Sequence, residues 1–280
     1  MKNALTIDLE EYFQIHVLAQ LIKPATWGSI PSSVSENTGR ILDLLNRKGI
    51  SATFFCLGWI AEHHKDLIRQ IHESGHEIAC HGYAHRAIYR QSRQEFREDV
   101  TRAKGILEDI IGDKILGYRA PTYSITGKTL WALDILEELG FRYDSSIFPI
   151  YHDNYGIPDA PRFPHRIQGS SLVEFPLTTF RLGTLNLPIS GGGYFRLIPY
   201  SLIRLGLRSM KSSGMPFIFY LHPWEINPET PIVSGMGLFS RFRTYTGIQS
   251  AYRRFSQLLD DFAFAPARVV LKEMGMFEQS

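Results

Sequence analysis

The stretch HGYAH sets two imidazoles, His81 and His85, four residues apart. At that spacing one helical turn would carry both on the same side. Two neutral imidazoles and a carboxylate are a common ligand set for a catalytic zinc that keeps one position open for water. An HxxxH pair alone is weak, because surface histidines at this spacing are common, so the carboxylate matters. TIDLEEY offers three, Asp8, Glu10 and Glu11, at the end of an apolar run. Asp8 and Glu10 share a face for as long as the strand persists. One could complete the metal site while its neighbour serves as general base on the metal-bound water. Read in isolation, DxEE is an ordinary solvated strand end.

Other groups stand at the ends of apolar runs. RAPTY carries Arg119, whose guanidinium could hold a catalytic carboxylate in one rotamer and keep it ionised. Pro121 stiffens the loop that follows, so the backbone N–H of Tyr123 could face an oxyanion. FIFYLHPWE puts His222 directly after a strand that is apolar on both faces, either as a satisfied core histidine or as a general acid. Asp144, in YDSS, could hydrogen-bond that imidazole and raise its pKa. In SGGGYFRLIPY three glycines let backbone approach a ligand, and no P-loop lysine is present. Tyr194 and Phe195 could stack on a sugar face there, and Trp224 is a further candidate contact to substrate. The bland readings are a surface ion pair for Arg119 and core aromatics for the glycine-rich loop. SRFRTYTG, with Arg253 and Arg254 beyond it, reads as a solvated basic face.

These residues need a scaffold that brings strand ends together. NALTID, SATFFCLG, HEIACHG, ILGYRAP, FRYDSS, LVEFP and FIFYLH read as buried strands. Between them, ENTGRILDLLNRKG, WIAEHHKDLIRQIHESG, SRQEFREDVTRAKGILEDIIG and TGKTLWALDILEELG read as helices that close on glycine, with another over YSLIRLGLRSMKSSG. The alternation predicts parallel βαβ units. Seven or so strands with polar residues at their C-terminal ends (Asp8, His81, Arg119, Asp144, His222) predict an α/β fold, a TIM-like (β/α) barrel with one catalytic face, better than an open sheet. Residues 147–198, rich in Pro and Gly, read as long loops. No linker divides the chain, so residues 1–280 are expected to form one domain.

The totals fit this reading. The chain has 280 residues, 44% hydrophobic and 21% charged, with a formal charge of +2, which gives no support to nucleic-acid binding. Cys56 and Cys80 sit in apolar runs and read as reduced core thiols. Cys80 precedes His81 on a strand, so its side chain points away from the metal side. The opening MKNALTIDLEEYF does not read as a secretory signal, and no run reaches the roughly 20 apolar residues of a membrane span. The expectation is a cytoplasmic protein; oligomeric state is not legible.

In order, TIDLE, ATFFCLG, GHEIACHGYAH, RAPTYS, YDSS and LHPWE resemble the successive motifs of the polysaccharide deacetylase family, also called the NodB-homology or carbohydrate esterase 4 family. The resemblance runs from about residue 4 to 225. It is nearest to the group linked to bacterial exopolysaccharide loci, whose C-terminal part, here 147–280, includes GGGYF. It implies a deformed (β/α)7 barrel and metal-dependent removal of N-acetyl groups from amino sugars of a bacterial poly- or oligosaccharide. Carried over position by position, it implies His81 and His85 as ligands of a divalent metal, most simply Zn2+, Asp8 as base, Arg119 as its support and His222 as general acid. Many members have a second aspartate directly after the first, and Leu9 stands there instead. The carboxylate ligand is therefore Glu10 or Asp8, with Glu11 third. Two other functions stay open: an amidohydrolase acting on a small cyclic amide or formyl group, and a metal-free carbohydrate-binding pseudoenzyme.

Overall fold

The structure is a computed structural model that describes residues 1–153 and 155–277. It opens with β1 (Asn3–Leu9), α1 (Val34–Lys48), β2 (Thr53–Cys56), α2 (Gly58–His63), α3 (Lys65–Glu73) and β3 (Glu77–Cys80). Next come α4 (Arg93–Ile111), β4 (Gly117–Tyr118), α5 (Trp131–Glu138) and β5 (Tyr143–Asp144). The central part adds β6 (His165–Arg166), β7 (Val173–Glu174), β8 (Thr179–Leu182), β9 (Leu185–Pro188), α6 (Gly192–Leu197) and α7 (Tyr200–Ser212). The chain ends with β10 (Ile218–Leu221), α8 (Leu238–Tyr245), α9 (Ile248–Asp261), β11 (Phe264–Ala265) and α10 (Ala267–Glu273).

The helices form where apolar spacing and caps agree. In α1, Val34, Ile41, Leu42, Leu44 and Leu45 are buried, Glu36 lies in the first turn, and Arg47 and Lys48 complement the dipole at the end. In α4, Ser92 and Glu95 form a reciprocal capping box, and Gly112 stops the helix. The helix expected over WIAEHHKDLIRQIHESG is two helices. The backbone breaks at His64, whose ring lies 3.4 Å from the hydroxyls of both Ser32 and Ser35.

Seven strands run parallel in the order β10-β1-β2-β3-β4-β5-β7 and curl the sheet into a partial barrel. β6 adds antiparallel to β7, and β11 pairs with the first residues of β1. The sheet is buried on both faces, as the unbroken apolar runs require. Residues 147–198, expected as loops, also hold β6 and the antiparallel hairpin β8–β9. The alternation in TFRLGTLNLP carries that hairpin, but Leu182, Leu185 and Leu187 stay exposed, so its apolar residues do not mark a core strand.

The far edge of β10 closes without a full ladder. The Thr178 hydroxyl donates to the Ile218 carbonyl (2.9 Å) and accepts from the Ile218 N–H (2.8 Å), while the Tyr220 N–H donates to the Ser190 carbonyl. This is the use of the glycine-rich stretch. Gly191 has φ +141°, and a Cβ there would lie 1.9 Å from the Tyr220 carbonyl oxygen, so only glycine fits. Cys56 and Cys80 are opposite one another on β2 and β3, buried and free. Burial pushes the Cys80 thiol up to about 12, which suits an inert core thiol. Among the described residues no helix is long and apolar enough to cross a membrane.

Candidate active site

At the C-terminal ends of β1, β3, β4 and β10 the sequence-predicted groups meet in a pocket of about 320 Å3, lined by Asp8, Glu10, His81, His85, Tyr123, His222 and Trp224 among others. Asp8 is the penultimate residue of β1, and its Oδ1 accepts from Arg119 Nη1 at 2.6 Å. Arg119 is fully buried, with every nitrogen engaged. Nη1 also donates to Thr6 Oγ1, Nε to the Ser145 carbonyl and Nη2 to Ser145 Oγ, and the guanidinium lies 4.1 Å from the Phe55 ring centroid. Burial disfavours its charge, but Asp8 overcomes that and raises its pKa. One Asp8 rotamer is thereby fixed. Its second oxygen faces the pocket, 3.4 Å from the Tyr123 hydroxyl and 3.8 Å from His222 Nε2.

Just past the end of β1, Glu10 enters the same space. Among the described residues, Glu10, His81 and His85 are the group that brings one potential ligand atom each within 4.8 Å of the others. The histidines meet through a loop and not through a helical turn: Gly82 and His85 adopt positive φ, +72° and +50°, and the rings lie 5.4 Å apart. A Cβ on Gly82 would come 2.9 Å from Asp99 Oδ2. His81 Nδ1 donates to the Arg119 carbonyl at 2.8 Å, which leaves Nε2 with a free lone pair. Burial pushes His81 down to about 4, so it is neutral at pH 7. Burial alone would push the Glu10 carboxyl up, but the imidazoles of His85, His222 and His81 outweigh it and hold it at about 2.

A cation fits this arrangement. Glu10 Oε2 is buried, finds no donor in hydrogen-bond geometry and sits 2.9 Å from His85 Nε2. A buried carboxylate oxygen that finds no hydrogen-bond donor, facing two imidazoles, is an unmet demand for positive charge. Trp224 Nε1 donates to the other Glu10 oxygen at 3.2 Å. Glu11, the third carboxylate, turns away and caps α1, accepting from the N–H groups of Ser33 and Val34.

His222 stands opposite, its Nε2 3.6 Å from Glu10 Oε1, its ring stacked on Trp224. Its partner is Glu225 and not Asp144. The turn after β10 folds Glu225 back so that Oε2 meets both His222 Nδ1 (2.9 Å) and the His222 N–H (3.1 Å). Glu225 in turn accepts from Arg196 Nε at 2.7 Å. Burial would lower the His222 pKa, but Glu10, Glu225 and Asp8 outweigh it and raise it to about 9. Against burial, Arg196 and His222 hold the Glu225 carboxyl at about 2. Asp144 is spent elsewhere, accepting from the Ser146 hydroxyl and N–H. Burial and the Asp144 charge beside it push the Glu174 carboxyl well up.

Four other expectations change. The Tyr123 N–H donates to the Ala120 carbonyl at 3.0 Å within a tight turn, so it cannot serve an oxyanion. Phe195 is fully buried, packed edge-on against Phe219, and cannot stack on a ligand. Tyr194 sits behind Tyr155, hydroxyl to hydroxyl at 3.3 Å. Arg254, read as surface charge, donates to the carbonyls of Phe195, Arg196 and Ile198 at the end of α6. Thr6, Arg196 and Glu225 were not singled out in the sequence. Only Glu225 left a trace, three residues after His222 at the capping-box spacing, but with a histidine in the place of the usual Ser or Thr.

Residues 25–143 match the family model described as Polysaccharide deacetylase, and residues 145–272 match the model described as Domain of unknown function (DUF3473). A peptidoglycan deacetylase-like protein of Gibberella zeae is 32% identical over 126 residues, covering 43% of this chain and 36% of that protein. A peptidoglycan-N-acetylglucosamine deacetylase of Bacillus cereus is 32% identical over 100 residues, 35% of this chain and 36% of that protein. The match thus spans about a third of the length of these curated relatives. The crystal structure of a candidate polysaccharide deacetylase from Mycobacterium smegmatis shares the fold, with a TM-score of 0.60 and 21% identity over 100% of this chain and 94% of that one. Residues 25–143 are thus similar to the polysaccharide deacetylase family, also called carbohydrate esterase 4, and the whole chain shares the fold of that solved structure.

Proposed function

We propose that the pocket hydrolyses the N-acetyl group of amino-sugar residues in a poly- or oligosaccharide, with zinc as the divalent metal held by Glu10, His81 and His85. The observation that supports this reading is the convergence of Glu10, His81 and His85, ligand atoms within 4.8 Å of one another, beside a guanidinium-fixed carboxylate and an imidazole whose pKa is raised to about 9. Asp8 Oδ1 is engaged by Arg119, which argues for Glu10 as the carboxylate ligand. When bound, the cation supplies Lewis acidity toward water and the amide carbonyl.

The chain's own groups move the protons. Asp8, held by Arg119, accepts a proton from the attacking water through Oδ2, the oxygen that faces the pocket. His222, held by Glu225, gives a proton to the amine nitrogen as the C–N bond breaks. The amide and one water become an amine and acetate, and the proton taken up by Asp8 returns to solvent while His222 is recharged. Domain organisation follows the site. His222 and Glu225 come from the region matched at 145–272 and Asp8 and Glu10 from β1, so the reading is of one catalytic unit.

The test pairs elemental analysis with acetate release from N-acetylglucosamine oligomers. Stoichiometric zinc and acetate release are expected. Glu10→Ala should lose most of its zinc. His222→Ala should keep zinc and lose about 10²–10⁴-fold in turnover. Hydrolysis of small cyclic amides without acetate release would overturn the deacetylase reading, and a zinc-free, inactive protein would mark a binding protein.

A further inference from the structure

The mouth of the pocket is both apolar and basic. On α8, Leu238 and Phe239 are 87% and 72% exposed and Phe242 is 56% exposed. At about 100° per residue these three share one face of the helix, with Arg241 on one flank and Arg243 on the other. Thr244 on the opposite face is buried, and Ser240, Arg243 and Thr244 line the pocket together with Val17. Val17 and Leu21 are exposed, and Leu21 lies beside the Gly235 turn that leads into α8. Residues 15–30 and 232–245 carry Lys23, Arg241 and Arg243 and no Asp or Glu, in a chain whose formal charge is only +2.

A protein surface seldom leaves two phenylalanines and a leucine exposed on one helix turn without a use for them. An apolar face bordered by arginines, lying flat beside a cavity, has the composition of a helix that rests at a lipid interface. A flexible arginine can extend past the apolar face to reach phosphate oxygens. A soluble glycan would use the rings but has no need of the flanking cations, whereas an anionic bilayer uses both.

We propose that the mouth of the pocket seats on an anionic lipid surface, with α8 lying along the headgroups, Leu238, Phe239 and Phe242 turned into the acyl boundary and the arginines against lipid phosphates. The pocket then opens directly onto the membrane surface. This concerns where the pocket opens and does not rest on which bond it hydrolyses.

The test is sedimentation of the full chain with vesicles. In about 0.1 M salt it pellets with phosphatidylcholine–phosphatidylglycerol vesicles and far less with phosphatidylcholine alone, and salt raised to about 0.5 M releases it. Phe239→Ser/Phe242→Ser lowers partitioning about tenfold or more, and Arg241→Glu lowers it about tenfold. Leu202→Ser/Leu205→Ser, on the exposed side of α7, leaves it unchanged. All five positions are exposed, and circular dichroism checks the fold of each variant. The proposal is overturned if the unaltered protein ignores anionic vesicles or if the Phe239/Phe242 variant binds as well as the parent. It is equally overturned if sedimentation velocity reveals a dimer that the same variant dissolves, since a second copy then covers the face.

Discussion

The choice of partner for His222 shows what a residue-level reading of sequence can reach. Asp8, His81, Arg119 and His222 each follow an apolar strand, and convergence of strand ends is a property of the fold that periodicity reveals. Asp144 follows a strand by the same rule, yet it hydrogen-bonds Ser146 while Glu225 takes the imidazole. The decision lies in a tight turn that brings position 225 back onto position 222, and in Arg196, which arrives from a different part of the chain. Long-range pairs of this kind have no local signature. If Glu225 orients His222, Glu225→Gln should lower kcat by about 10–10²-fold with KM and zinc content unchanged. Arg196→Lys should retain more of kcat than Arg196→Met, because a cation still faces Glu225. A fall in zinc content, or a change in KM alone, would refute the orienting role.

At the scale of elements, runs with one clear period were legible and segments tied by side chains were not. β1 to β5 and the helices between them follow from apolar runs and glycine stops. The loop that joins His81 to His85 depends on two positive-φ residues, one of them the non-glycine His85. Another side-chain tie sits ahead of it. His76, buried between α3 and β3, accepts the Ala52 N–H through Nδ1 at 3.1 Å and packs edge-on against Phe54, so it joins the starts of β2 and β3. Burial pushes its pKa down to about 4 from the usual 6.5. The unfolded chain therefore binds the proton more readily, and the stability His76 contributes is complete above about pH 6.5 and lost as pH falls toward 4. Between pH 7.5 and 5 the unaltered protein should lose about 1–2 kcal/mol more unfolding free energy in urea than His76→Asn, in which an amide can still accept the Ala52 N–H. Other titrating groups act on both proteins and cancel in the difference. Equal slopes for the two would show that His76 is not the sensor.

For the whole molecule, the seven parallel strands and the single face that gathers the candidate site follow from alternation, but the way the barrel closes does not. β1 lies between elements from opposite ends of the chain, pairing with β10 and β11 as well as β2. On its other side β10 has no continuous ladder, only the Thr178 hydroxyl and the Ser190–Gly191 backbone. This matters for the site because β10 delivers His222 and β1 delivers Asp8 and Glu10. A hydroxyl that both donates to and accepts from one buried residue stands in for a missing strand. Thr178→Val preserves shape but leaves the Ile218 N–H and C=O without partners. It should cost about 2–4 kcal/mol, the penalty for burying such groups unpaired. For a chain of this size that is a fall in Tm of about 5–10 °C, read by calorimetry. Thr178→Ser, which keeps the hydroxyl and loses one methyl, should fall by less. A Thr178→Val variant that melts with the parent would mean that apolar packing closes the barrel and that the hydroxyl merely fills a gap.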